Sequence, residues 1–363
     1  MARAIGHSWW TRRDFLRAGL AAAGAGAAVV LLRPSPLSGT DGEYYFAGEV
    51  MGTVYNVKFA APLREDALRA AARDAVRAAL GAVDGRMSTF KPSSELSRLN
   101  RHAARQPFAL SAETYALLDR ARGVSAASGG AFDVTAGPLV NAWGFGPESN
   151  RRVPPARELA ALRERVGYRL LELDARSGTA RKAHPAMYVD LSGIAKGHGV
   201  DRAAAALDAL GIEHYVIEVG GELRARGRNI RGEPWQVAIE EPQAGPRTPR
   251  IAVPLAGAAM ATSGDYRIYF ERDGHRYCHE IDPVGASPVT HRLTSVTVVA
   301  PDCASADATA TALMVLGPDR GYALAEQLGL GAYFVTRGAM GELDDRATPA
   351  FAALGPQRLP NAA

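Results

Sequence analysis

The segment "SADATATALMVLG", residues 305–317, constrains the fold more than any other stretch of this chain. Read as a helix, it is almost wholly Ala, Leu, Val and Met until Gly317 and Pro318 end it. A helix without a polar stripe needs cover on most sides, which calls for a layered core around it. Asp307 and Thr311 break the apolar run, and their i,i+4 spacing puts them on one face. Ala310 and Met314 share that face, so it is not a solvent side. A buried carboxylate with no partner costs several kcal/mol, so the pair demands either a polar neighbour or a cation.

Charge narrows the function. The first 33 residues carry five arginines against one acid, which accounts for the whole net charge of +4 and leaves the body neutral. Binding to nucleic acid through a basic surface is therefore not expected. The excess belongs to "TRRDFLRAG" and the uncharged run Ala18–Leu32, which is shorter than a membrane-spanning helix needs. A basic segment before a short Ala/Gly-rich run reads as an export signal over residues 1–33, and Arg12-Arg13 followed by Phe15-Leu16 resembles the twin-arginine type. A periplasmic location follows, with inner-membrane association through an uncleaved signal as the alternative. Cys278 and Cys303 are the only cysteines. They are too far apart for a metal knuckle or a redox motif, and the spacing leaves open whether they pair.

Along the chain, residues 34–47 read as a linker. "TVYNVKFA" (53–60) alternates as a half-buried strand, and residues 63–83 form an amphipathic helix through Leu68, Ala72, Val76, Leu80 and Val83. Helices are expected from Ser111 and over 156–166, 198–210, 304–316 and 319–328. Strands are expected at "YRLLELDA", "AMYVDLSG", "HYVIEVGG", "WQVAIEEP", "RIAVPLAG", "LTSVTVVA" and residues 332–336. Strands and helices without regular βα alternation predict an α+β fold, mixed sheets with packed helices, over a domain of 48–340. Residues 341–363 read as a loosely ordered tail.

Four stretches combine glycines with polar groups: "MGTVYNV" with "MSTFKPSSELSRLN", "GGAFDVTAGPLVNAWGFGP", "VDLSGIAKGHGVDRAAAAL", and "ATSGDYRIYF" with "RYCHEIDPVGASPVTH". In the third, a strand ending at Asp190 leads through a turn with Gly193, Lys196, Gly197 and Gly199 into a helix. That order suits either an anion cradle or an ordinary strand–turn–helix. It lacks G-K-[ST] and is no Walker loop; no G-x-S-x-G elbow or zinc-spaced histidines occur. Hard oxygen donors remain: the Asp307 carboxylate, the Thr311 hydroxyl and a turn carbonyl such as that of Gly193. This set suits Mg²⁺ or Ca²⁺. The alternative is a structural pair, with the Thr hydroxyl bonding back to an i−4 carbonyl.

Together these stretches, in order from about Gly48 to Ala325, resemble the ApbE family of FAD:protein FMN transferases, which implies a T-fold-like architecture. The resemblance implies Mg²⁺ held by Asp307, Thr311 and the Gly193 carbonyl. It implies flavin contacts at Met51, Phe90, Ala131, Phe132, Asp133, Asp190, Lys196 and Ile281. Some members carry a further Asp before the Thr, where this chain has Ala310. His279 and Asp282 of "HEIDP" are candidates for proton transfer or positioning, beside Lys196. Without the family, His279 reads equally as a structural strand histidine, and Phe90 and Phe132 as core. The implied reaction moves FMN from FAD to a Thr or Ser hydroxyl of an exported acceptor flavoprotein and releases AMP. The alternatives are FAD hydrolysis at the same site, or a non-catalytic flavin-binding accessory protein of a respiratory complex.

Overall fold

The computed structural model describes residues 28–30, 41–62, 65–103, 105–147 and 150–359. Eight strands form one sheet and follow each other in chain order: β1 (Asp41–Val50), β2 (Thr53–Pro62), β3 (Tyr215–Val219), β4 (Glu222–Arg226), β5 (Gly257–Gly264), β6 (Leu293–Ala300), β7 (Gly331–Arg337) and β8 (Leu343–Ala347). Every neighbouring pair in this sheet is antiparallel. The α+β expectation holds, but the strand pairings among the described residues are all antiparallel, with none mixed in direction.

Three helices lie against one face: α1 (Asp66–Met87), α2 (Ser192–Ala209) and α3 (Cys303–Gln327). Tyr55, Val57 and Phe59 of β2 meet Val76 and Leu80 of α1 and Val200 and Leu207 of α2 in one cluster. The other face is covered by a smaller sheet built on Trp235–Glu240 and Pro249–Leu255, which meets Val216, Leu223, Ala225 and Met260. Cover on both faces explains why all five residues of β3 are buried. Helix α3 matches the opening expectation, with a break where Gly317 takes φ 81° and ψ −177°. A side chain at Gly317 would lie 2.7 Å from the His291 ring, so the break needs a glycine for both reasons.

Several segments depart from expectation. "AMYVDLSG" forms no strand; the Asn100 side chain bonds the backbone of Val189 at both its N–H (2.7 Å) and carbonyl (2.9 Å), doing what a neighbouring strand would do. Helix α2 starts at Ser192, six residues early, so Gly193, Lys196, Gly197 and Gly199 are helical and not turn residues. Strand β1 begins at Asp41, inside the expected linker. The expected tail supplies β8 and a short helix, Pro349–Ala352, whose Phe351 is fully buried. The signal-type segment lies outside the described residues except for Ala28–Val30, a short strand paired with residues 237–239. No helix among the described residues is long and apolar enough to cross a membrane.

Candidate active site

Two glycines bring α2 and α3 together. A Cβ at Gly197 would sit 2.3 Å from the Cys303 carbonyl oxygen, so only glycine allows the backbones to approach this closely. The Gly197 N–H then donates to Asp307 Oδ2 at 2.9 Å. A regular helix directs that N–H at the Gly193 carbonyl four residues back, so Asp307 competes for it. A Cβ at Gly193 would stand 3.4 Å from Thr311 Oγ1 and 3.2 Å from Phe132. The Thr311 hydroxyl is also 3.2 Å from Ser263 Oγ, at the end of β5. Asp307, Thr311 and Gly193, placed together by the sequence reading on hard-donor chemistry, are thus neighbours in space.

These residues line a cleft of about 770 Å³, and so do Met51, Phe90, Ala131, Phe132, Asp133, Asp190, Lys196, His279 and Ile281. Met51 adopts φ 51° in the two-residue turn between β1 and β2, a left-handed backbone uncommon outside glycine. Phe90 is 70% exposed at the cleft, whereas Phe132 belongs to the apolar core as well as to the cleft wall. Asp133 lines the cleft, but its oxygens are already engaged by Thr135 and by the Tyr168 N–H at 2.7 Å. Asp190 accepts the Ser192 N–H at the start of α2. Asp282 is not among the residues that line the cleft, although Ile281 and Pro283 on either side are, and its carboxylate accepts the Val284 N–H in the following turn. Ala310 packs with Ala261, Val296 and Val298 in the core between helix and sheet, so a carboxylate there would face apolar groups.

Sequence reasoning missed two carboxylates that the fold brings here, Glu222 at the start of β4 and Glu280 beside His279. The Lys196 ammonium lies 3.5 Å from Glu222 Oε1 and 3.9 Å from Asp307 Oδ1, and donates to the Ser192 carbonyl at 3.2 Å. Burial raises the pKa of Asp307 and Glu222, with Lys196 offsetting part of the effect. Burial also pushes Glu280 up to about 8 and His279 down to about 4, the latter helped by the Lys196 charge. Burial alone would lower Lys196, but Asp307 and Glu222 carry it above its ordinary value. His279 Nε2 is 3.6 Å from Glu280 Oε1, and its Nδ1 has no partner among the described residues. Tyr266 and Arg267 also line the cleft, both held by the buried Glu240.

The donor set fits a hard divalent cation. Three buried carboxylates face one ammonium, and Glu222 Oε2 has no hydrogen-bond partner among the described residues. No group of three or more His, Cys, Asp or Glu residues close enough to hold a metal by themselves occurs among them. A protein shell of one carboxylate, a hydroxyl and a carbonyl, completed by phosphate oxygens and water, is the pattern of Mg²⁺ rather than of a closed structural site.

Comparison with known proteins points the same way. A sequence model of the ApbE family matches residues 51–334. A FAD:protein FMN transferase of Haemophilus influenzae is 43% identical over 296 residues, covering 80% of this chain and 86% of that protein. One of Vibrio cholerae is 44% identical over 287 residues, covering 78% and 84%. The structure of the flavin transferase ApbE from Vibrio cholerae superposes with a TM-score of 0.78 at 38% identity, covering 86% of this chain and 99% of that one. The apo flavinyl transferase ApbE of Pseudomonas stutzeri gives 0.78 at 39%, covering 86% and 97%. With the family's motifs, fold and cleft all present in one chain, this protein belongs to the ApbE family.

Proposed function

We propose that this chain is a Mg²⁺-dependent FAD:protein FMN transferase, acting on a Thr or Ser hydroxyl of an exported acceptor flavoprotein and releasing AMP. The observation that carries the reading is the meeting of Asp307, Thr311 and Gly193 beside Lys196 in a cleft large enough for a dinucleotide. The cation, when bound, supplies charge neutralisation on the pyrophosphate. Asp307 and Thr311 would hold it with the Gly193 carbonyl, and Lys196 would add a positive charge for the phosphates. Such a transfer needs positioning and charge stabilisation more than covalent help. His279 lines the cleft with its Nδ1 unpartnered among the described residues and is the candidate to accept the proton of the acceptor hydroxyl. Phe90, Met51 and Ile281 supply apolar surface for the flavin ring. The paired arginines ahead of the apolar run support export and a periplasmic acceptor.

The test is incubation with FAD, Mg²⁺ and an acceptor bearing a flavinylation Thr. Covalent flavin fluorescence on the acceptor is expected, with stoichiometric AMP. AMP without labelled acceptor would assign hydrolysis instead. Asp307→Asn is expected to remove Mg²⁺-dependent turnover, and full activity in that variant would refute the cation assignment.

A further inference from the structure

Glu222 belongs to no motif, yet its position is tightly specified. The two-residue turn between β3 and β4 is Gly220–Gly221, with φ of 62° and 114°, values that favour glycine at both positions. This turn pairs Glu222 with Val219 and starts β4 with a carboxylate that is 2% exposed and lines the cleft. One of its oxygens has no hydrogen-bond partner among the described residues, and the other faces the Lys196 ammonium at 3.5 Å. That ammonium is farther from Asp307 Oδ1, at 3.9 Å, beyond hydrogen-bonding distance.

A half-buried ammonium that loses one carboxylate partner is drawn to the other within reach. In the absence of Glu222, Asp307 is the other carboxylate in ion-pair range of Lys196, and closing that gap would occupy the oxygen a cation needs. We propose that Glu222 is a positioning residue that holds the Lys196 ammonium away from Asp307, keeping Asp307 Oδ1 open to a divalent cation. Glu222 acts from the sheet, opposite the helix that carries Asp307. It lets a fixed lysine and a divalent cation occupy one cleft without the first displacing the second. Glu280 also attracts Lys196 at longer range but makes no ion pair with it. The inference rests on the cation site proposed above.

The experiment titrates the full chain with Mn²⁺ as a stand-in for Mg²⁺, reading free Mn²⁺ by its paramagnetic resonance, with neither FAD nor acceptor present. Glu222→Gln is expected to weaken Mn²⁺ binding by at least about tenfold, the usual scale for partners that orient a ligand. Adding Lys196→Met to that variant is expected to restore the affinity, because the competing ammonium is gone. Unchanged affinity in Glu222→Gln overturns the proposal. So does a loss that Lys196→Met fails to reverse, since Glu222 would then be a cation ligand itself. Should Glu222→Gln not fold, Glu222→Asp is the substitute: it keeps the charge on a shorter arm and is expected to give an intermediate loss, and wild-type affinity in it counts against the proposal. A wild-type chain that binds no Mn²⁺ sinks the cation reading, an outcome separate from all of these.

Discussion

Replacing Gly197 with Ala separates two effects of opposite sign. As a mid-helix residue Gly197 costs α2 about 1 kcal/mol relative to Ala, so helix propensity predicts that Gly197→Ala stabilises. Packing predicts the reverse. The added Cβ would stand 2.3 Å from the Cys303 oxygen, 2.6 Å from its carbonyl carbon and 2.9 Å from the Ala304 nitrogen, all below any ordinary contact. These are backbone atoms and have no rotamer to escape into, so one helix must shift. Overpacking of this kind costs roughly 1–3 kcal/mol, and rigid neighbours put it at the upper end. The net expectation is a loss of about 1–2 kcal/mol, or a few degrees in Tm for a domain of this size. Gly85→Ala in α1 is the control, because nothing lies within 4 Å of its Cβ position; there the propensity gain of about 1 kcal/mol is expected unopposed. Thermal melts of both variants in EDTA measure the pair. The helix shift also pulls the Gly197 N–H from Asp307, so FMN transfer is expected to fall in Gly197→Ala and to hold in Gly85→Ala. A Tm for Gly197→Ala equal to or above wild type would refute the close approach of α2 and α3 on which the site depends.

Other outcomes follow from the cleft. His279→Gln is expected to lower the transfer rate at pH 7 by roughly 10²–10⁴-fold with little change in FAD binding, the range for a lost general base; a rate within a few-fold of wild type would remove His279 from that role. In the metal-free chain, Glu280 titrates near 8 when folded, above its ordinary carboxylate range, so the unfolded chain ionises first and stability falls as pH rises from about 4.5 to 8. His279, held near 4, acts oppositely and costs stability as pH falls from about 6.5 to 4. Above pH 6.5 only the carboxylate slope remains of these two, up to about 1.4 kcal/mol per pH unit. Glu280→Gln should therefore flatten the decline in Tm between pH 6.5 and 8, and an unchanged slope would contradict its burial as an ionisable group. Phe90→Ala is expected to raise the KM for FAD while leaving Tm within about a degree, since a side chain 70% exposed adds little to the fold. A Tm loss of several degrees would return Phe90 to the core.

What the chain discloses in one dimension follows from what each residue does locally. The apolar positions of α1 and the alternation of β2 were legible because burial there follows the period of a single element. Asp307 and Thr311 were legible for the same reason, as polar intrusions one turn apart in an apolar helix. Glu222 and Glu280 were not: a carboxylate after a glycine turn, or one between a histidine and an isoleucine, looks solvent-exposed until the rest of the fold is in place around it. The misplaced start of α2 has the same origin. Gly193, Gly197 and Gly199 resemble a turn when judged by propensity, which penalises each of them in a helix. Their neighbours decide otherwise: Thr311 and Phe132 at Gly193, the Cys303 backbone at Gly197, Leu80 and Met51 at Gly199. All three face another element of the fold: a Cβ at Gly197 would force two backbones apart, and one at Gly193 or Gly199 would press on side chains 3.2–3.3 Å away. The glycines that looked like a phosphate-binding turn thus bring the helix carrying Lys196 within a hydrogen bond of the helix carrying Asp307. On the reading proposed above, the charge that meets phosphate would come from Lys196 and a cation, since the Ser192 N–H at the helix start is already taken by Asp190.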